Sequence, residues 1–344
     1  MVSRGNRVEV DLISFTMNRW CLAILFINIV IQGCLSQNGK ECTDINNLDN
    51  QRLMSLMKAI VPELEGKRKG DAGKIGVIGG ATEYTGAPYF SAITALKVGA
   101  DLVYVITTES AAPVIKAYSP DLIVYPYLNT NTVSKIYSLL NKMDVIIIGP
   151  GLGREEETLK LIYEIFIECK KLRKPLVIDA DGLYAVSKNL SVLQNYPSPG
   201  IIFTPNYREA NKLKQAISLN DSNWFNYWGD YVTVLVKGSE DHYYSSISSY
   251  SWSSKYGGSG RRVGGQGDIL SGALGTLYNW ALNLKVCDTG NIFQLAQSIS
   301  TFAAARFTRE CNYKAYLEYS RSLTTTDMLK YIHASFESLF NKEN

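Results

Sequence analysis

Histidine is almost absent: the 344 residues contain only His242 and His333. A histidine-rich metal site or a Ser/His/Asp triad therefore has few residues to draw on. The six cysteines, Cys21, Cys34, Cys42, Cys169, Cys287 and Cys311, contain no C-x-x-C pair, which speaks against zinc ligation and a disulfide framework. Those in the folded part read as small core residues or free thiols. No dense basic run occurs, and 35 Lys+Arg against 32 Asp+Glu give a net charge of only +3, so no nucleic-acid partner is expected. No Walker A sequence G-x-x-x-x-G-K-[ST] is present, which disfavours a P-loop nucleotidase. What remains, with 46% apolar and 19% charged residues, is an ordinary folded chain. Its chemistry must come from carboxylates, backbone amides and lysines.

A membrane-length apolar run is missing as well. Trp20 to Ile31 is apolar apart from Asn28, but its 12 residues fall short of the roughly 20 that a span needs, and no stable membrane span is expected. Arg4, Arg7 and Arg19 precede this run, and Gly33, Cys34 and Ser36 follow it. That is the layout of a secretory signal peptide over residues 17–36. Ser3, Ser14 and the arginines also keep a mitochondrial presequence open, while Glu9 and Asp11 count against one; a rarely used upstream start is a third reading. The polar stretch Gln37 to Asn50 reads as a linker. Residues 1–50 are thus expected to be leader and linker, and residues 51–344 a single catalytic domain.

Beyond that point, β-branched runs recur at KIGVIGG, DLVYVIT, DLIVYP, DVIIIGPG, PLVIDADG, GIIFTPN and YVTVLVKG. Continuous apolar strands of this kind are buried on both faces, as in a parallel sheet. Helical periodicity fills Ala87–Val98, Glu155–Lys171 and Arg208–Ile217, and further helices are expected over Leu270–Leu284 and Ile292–Arg306. The alternation predicts an α/β fold with three αβα layers and a mostly parallel, doubly wound sheet. Polar and aromatic residues alternate from Ser239 to Trp252, which predicts an antiparallel hairpin at one edge.

In such sheets ligands bind at the carboxyl ends of the strands. The richest candidate is GGSGRRVGGQGDILSG, Gly257 to Gly272, where Gly264, Gly265 and Gly267 can present amides to an anion at a helix N-terminus. The alternative is a flexible loop in which Asp268 merely caps the helix. GPGLGR, Gly149 to Arg154, follows a buried strand and suits close approach to a ligand, against a plain βα turn. TPNYREA places Asn206 and Glu209 three apart, for a magnesium ion through coordinated water or for a helix cap. Lys237 ends a strand, where it can meet polyphosphate or simply be solvated. GVIGGATEYTGAP lacks the spacing of a dinucleotide fingerprint.

Taken in order, KGDAGKIGVIGGATEYTGAPYFSA, AAPVIKAYSPDLIVYP, GPGLGR, TPNYREA and SGRRVGGQGDILSG resemble the ATP-dependent (S)-NAD(P)H-hydrate dehydratase family of the ribokinase-like superfamily. The resemblance runs from about Gln51 to Phe340. It implies removal of water from the S epimer of hydrated NADH or NADPH, with ATP converted to ADP and phosphate. It also implies that the hydrate contacts Gly153, Asn206, Tyr207, Arg208, Glu209, Ala210, Asn211, Lys212 and Asp268. ATP would contact Lys237, Gly238, Ser239, Glu240 and Asp241, and the loop Gly258, Ser259, Gly260, Arg261, Arg262, Val263, Gly264, Gly265, Gln266 and Gly267. Asp268 is the expected general base, with Asn206 and Glu209 positioning Mg2+ through water. Where the family usually carries Phe after the Glu of TPN-x-x-E, this chain has Ala210, which leaves packing there open but removes no polar group. The resemblance further implies a mitochondrial or cytosolic location, a functional partnership with an NAD(P)H-hydrate epimerase, and a possible homo-oligomer. The competing readings are a small-molecule kinase of the same fold, acting on a vitamin precursor or sugar alcohol, and a non-catalytic nucleotide sensor.

Overall fold

The computed structural model describes residues 48–217, 223–284 and 290–341. The expected leader, nearly all of the linker, and Cys21, Cys34, Cys42 and Cys287 lie outside the described residues. No helix of the described residues is long and apolar enough to cross a membrane.

All seven apolar runs are strands: β1 Lys74–Ile78, β2 Leu102–Ile106, β3 Ile123–Tyr125, β4 Val145–Ile148, β5 Leu176–Ile178, β6 Ile201–Phe203 and β7 Val232–Val236. With β8 Asp241–Tyr244 and β9 Trp252–Ser254 they form one sheet of order β3-β2-β1-β4-β5-β6-β7-β8-β9 among the described residues. Pairing is parallel from β3 through to β7 and antiparallel for β7–β8 and β8–β9. The edge hairpin expected from the polar–aromatic alternation is therefore β8–β9. Parallel pairing has a direct consequence, because the loops after β1 to β7 all open along one edge of the sheet.

Four helices cover one face: α4 Val133–Leu140, α5 Glu156–Lys171, α6 Ala180–Lys188 and α7 Tyr207–Ile217. Ile146, Ile148, Leu176, Ile178, Ile201 and Phe203 point into the core beneath them, together with Trp224 and Trp228. The other face is covered by α2 Gly86–Val98, α8 Gln266–Leu282 and the 28-residue α9 Ile292–Tyr319. Both faces are buried, so Val145, Ile146, Ile147 and Ile148 are all fully enclosed, and each such side chain contributes about 1.5–3 kcal/mol by leaving water. The remaining helices are α1 Asn50–Ala59, α3 Ala112–Tyr118, α10 Thr325–Lys330 and α11 Ile332–Phe340.

Small residues set the height of α8 over the sheet. A Cβ on Gly272 would lie 2.1 Å from the Ser91 carbonyl oxygen, and one on Gly275 would lie 2.8 Å from Ile147 Cδ1. The Thr276 hydroxyl donates to the Ala95 carbonyl at 2.9 Å, a further tie to α2. The helix begins four residues before the expected Leu270, and its cap is Gly265 at φ 95°, not Asp268. Glycine tolerates that left-handed backbone without the cost a side chain would add. Asp268 is thereby placed inside the first turn, where its carboxylate does no capping.

Candidate active site

The corner between β6 and α7 is built by a reciprocal cap. Asn206 Oδ1 accepts from the amides of Arg208 (2.9 Å) and Glu209 (3.1 Å), while Glu209 Oε2 accepts from the Asn206 amide (2.8 Å). This is the capping-box arrangement, which satisfies amides that a helix start leaves open. It occupies both lone pairs of the Asn206 oxygen, so the expected metal role narrows to the second carboxylate oxygen of Glu209. Burial raises the Glu209 carboxyl above its ordinary value, against the pull of Lys237 and the Asn206 amide. Tyr207, Arg208 and Lys212 are exposed, Asn211 is half-buried, and Ala210 packs into the core at the position of the family's Phe.

The amide of Lys237, just past β7, donates to the Pro205 carbonyl at 2.8 Å, which fixes the β7 loop beside this corner. Its ammonium is paired: Nζ lies 2.7 Å from Asp179 Oδ1, just beyond β5. Burial alone would depress the lysine's pKa, but Asp179, Glu209 and Asp268 outweigh it and hold the ammonium above its ordinary value. Asp268 completes the cluster from α8. Burial and the Asp179 charge, with a smaller contribution from Asp181, push its carboxyl well above the usual carboxylate range, and Lys237 opposes them. A carboxyl so destabilised as an anion is a better proton acceptor than a solvated one.

The amides of Gln266 and Gly267 stand at the open N-terminus of α8, where the helix dipole favours an anion. Gln266 and Gly267 line a cavity of about 370 Å³ with Asn206, Lys237, Gly238, Asp241, Gly258, Arg262 and Val263. Its far wall comes from Leu270, Ala305, Thr308, Arg309, Asn312 and Met328. The size falls within the range of small-ligand pockets.

Two of the expected nucleotide segments are held in place by α9. Arg309 Nε lies 2.7 Å from Asp241 Oδ2, and its outer nitrogen donates to the carbonyls of Gly238 (3.0 Å) and Ser239 (3.2 Å). Asp241, only 4% exposed, in turn accepts from the Gly238 amide at 3.0 Å, so it is a brace for the loop more than a ligand group. The second segment is tied through the amides of Gly258 and Ser259, which donate to the Arg309 carbonyl and to Asn312 Oδ1. The Arg261 guanidinium donates to the carbonyls of Leu323 and Arg262, and Arg262 donates to that of Ser259. Ser239, Glu240, Ser259, Gly260, Arg261, Gly264 and Gly265 do not line the cavity.

GPGLGR takes a different place from the one its glycines suggested. A Cβ on Gly149 would lie 1.8 Å from the Asp179 carbonyl oxygen, and one on Gly151 would lie 2.8 Å from that of Tyr84. The close approach these residues permit is to neighbouring backbone, and it packs the ends of β1, β4 and β5 together. The Gly153 amide donates to Asp181 Oδ2 (3.1 Å), and Arg154 Nε donates to Asp181 Oδ1 (2.9 Å). Arg154 also lies over the Tyr184 ring, and the two line a smaller recess with Glu209 and Lys212. Asp268, in the first turn of α8, directly follows Gly267 of the cavity wall and has Asp179, Asp181 and Lys237 as its charged neighbours.

Asp179 and Asp181 are functional candidates that motif reading passed over. The signal was present in PLVIDADG, where two acids directly follow a buried strand. Arg309, Asn312 and Met328 belong to helices tens of residues downstream, and no local pattern marks them. Among the described residues no cluster of three or more His, Cys, Asp or Glu side chains has the arrangement of a metal site.

Similarity to known proteins agrees with this geometry. A family model described as NAD(P)H-hydrate dehydratase matches residues 75–333. The ATP-dependent (S)-NAD(P)H-hydrate dehydratase of Aedes aegypti is 44% identical over 290 residues, 84% of this chain and 85% of that protein. Among solved structures, a ribokinase-like superfamily protein of Enterococcus faecalis superposes with a TM-score of 0.67 at 19% identity, covering 83% of this chain and 94% of that one. The ADP/ATP-dependent NAD(P)H-hydrate dehydratase of Bacillus subtilis, co-crystallised with ATP and Mg2+, superposes with a TM-score of 0.60 at 17% identity, covering 83% and 97%. The two superpositions establish the ribokinase-like fold, and the family model together with the Aedes aegypti relative shows that this chain belongs to the NAD(P)H-hydrate dehydratase family.

Proposed function

We propose that this protein catalyses ATP-dependent dehydration of the S epimer of hydrated NADH or NADPH, restoring the reduced cofactor and releasing ADP and phosphate. The observation that carries this reading is Asp268, a buried carboxyl in the first turn of a helix whose opening residues Gln266 and Gly267 line a cavity of small-ligand size. Hydroxide is a poor leaving group, so the ring needs its hydroxyl converted to a better one. Asp268 accepts the hydroxyl proton, and the freed oxygen attacks the γ-phosphorus of ATP as ADP leaves. The amides of Gln266 and Gly267 receive the charge that develops on the phosphoryl oxygens. The ring nitrogen then expels phosphate, a proton leaves the adjacent carbon, and the dihydropyridine returns.

Magnesium fits this donor set in one form only. Glu209 keeps one carboxylate oxygen outside its cap, which suits an ion that arrives with ATP, retains most of its waters and leans on a single protein carboxylate. Bound there, it would neutralise charge on the β- and γ-phosphates.

The decisive test supplies hydrated NADH and ATP and follows recovery of the reduced-nicotinamide absorbance together with ADP release. ATP consumption that yields a phosphorylated product without recovery would instead make the protein a small-molecule kinase. A family enzyme that consumes only the S epimer depends on an epimerase, so a mixed-epimer substrate is expected to stop half-consumed until one is added. Because substrate and ATP must meet in one compartment, we place the protein in mitochondria or cytosol; imaging a tagged full-length chain beside one starting at Gln51 tests this.

A further inference from the structure

We propose that Asp179 is a positioning residue, holding the Lys237 ammonium against the first turn of α8 where the transferring phosphoryl group and Asp268 meet. This rests on the dehydratase reading above and adds to it a residue outside the sequence motifs. Three observations support the placement. The carboxylate makes a 2.7 Å contact with Nζ and is 2% exposed, so the lysine does not range freely. A Cβ placed on Gly267 would lie 3.1 Å from Nζ and 3.7 Å from Asp179 Oδ2, so the pair stands directly beside a residue that lines the cavity. The backbone of Asp179 is itself fixed: its amide donates to the Ile148 carbonyl at 3.1 Å, and its carbonyl accepts from the Gly182 amide at 2.9 Å. Ala180, the next residue, holds φ 47°, a left-handed conformation that costs a residue bearing a side chain about 1–2 kcal/mol.

An ammonium has three donors. One is committed to Asp179, which leaves two in fixed directions for phosphoryl oxygens. Without Asp179 the four-carbon stem would carry the charge to several positions, and misplacement by about 1 Å is enough to cost on the order of 10²-fold in rate.

The charges facing Asp268 are Asp179 from the β5–α6 junction, Asp181 from the first turn of α6 and Lys237 from just past β7; Glu209 of α7 faces Lys237 in turn. Their signs give two variants opposite signatures. Asp179→Asn removes a like charge from beside Asp268 and leaves Lys237 uncompensated, so the acid limb of the kcat/KM profile moves to lower pH. Lys237→Met removes the opposing cation, so that limb moves to higher pH. In both, kcat for the hydrate falls by on the order of 10²-fold. The double variant is no slower than the worse single one, because the two residues act as one unit.

The experiment measures pH–rate profiles and KM for ATP on the wild type and both variants, with thermal melts alongside. If Asp179→Asn folds but loses only stability, with kcat and the limb unchanged, the pair is structural and the proposal is overturned. If Asp179→Asn does not fold, Lys237→Met decides alone, and an unmoved acid limb overturns it equally. A wild type that fails to restore NADH from hydrate and ATP refutes the dehydratase reading itself, which keeps the two failures apart.

Discussion

Replacing Asp268 by Asn should separate activity from stability in opposite directions. The substitution preserves shape and hydrogen-bonding size but removes the proton acceptor. Loss of a well-placed general base typically costs about 10²–10⁴ in rate, equivalent to roughly 3–5 kcal/mol of transition-state stabilisation. The same change removes a carboxylate that burial and Asp179 disfavour as an anion. A carboxyl whose pKa is raised in the fold stabilises it most below the unfolded value near 3.9, and that contribution is lost as pH rises through the folded value. At neutral pH the wild type therefore carries a penalty that the Asp268→Asn variant lacks. For a domain of this size each kcal/mol relieved raises Tm by about 2–4 °C. The assays are steady-state turnover of hydrated NADH with ATP, and calorimetric melts from pH 4 to 8. The wild type should lose stability relative to the variant as pH rises from 4. An Asp268→Asn protein that turned over normally, or that melted below the wild type at pH 7 while remaining folded, would refute the reasoning.

Other perturbations follow from the same contacts. Arg309→Met strips the partner from Asp241, and breaking a buried pair costs about 3–5 kcal/mol. It should also raise KM for ATP, seen by denaturant melts and ATP titration, because the Gly238 and Ser239 carbonyls lose their donor. Gly149→Ala forces a methyl to within 1.8 Å of the Asp179 carbonyl oxygen at a φ of 128°; we expect poor folding or, in soluble protein, a fall in kcat larger than any change in KM. Cys169 and Cys311 are enclosed, and burial pushes both thiols up to about 12, so site-resolved mass spectrometry should find neither alkylated at pH 8 until denaturant is added.

The sheet was legible because its central parallel strands β4, β5 and β6 are buried on both faces and so write unbroken apolar runs such as VIII. The long helix α9 was less so. Its expected end at Arg306 falls short of Tyr319, because Arg309, Glu310, Asn312 and Lys314 look like a solvated break in apolar periodicity. In space they are not one, since Arg309 and Asn312 turn inward to hold the nucleotide loops. Local motifs put Asp268 and the glycine loop forward as candidates, as backbone that holds a phosphate needs small residues at fixed spacing. The Asp179–Lys237 pair spans 58 positions and exists only through strand order, which no local pattern records. Asn206 and Glu209 show the opposite case: one spacing serves both a cap and a metal water, and only the hydrogen bonds reveal how much of the pair the cap consumes.

Arg309 grips the loop after β7 through the carbonyls of Gly238 and Ser239 and the carboxylate of Asp241, and none of these hydrogen bonds engages the side chain at 239 or 240. Exchange of Ser239 should therefore leave the loop on its path, whereas Glu240 also pairs with Lys255 at 3.3 Å. A change at Arg309 or Asp241 alone breaks the grip itself. Sequence variation in this lineage should therefore pool at the rim of the cavity and stop abruptly at one arginine on a distant helix.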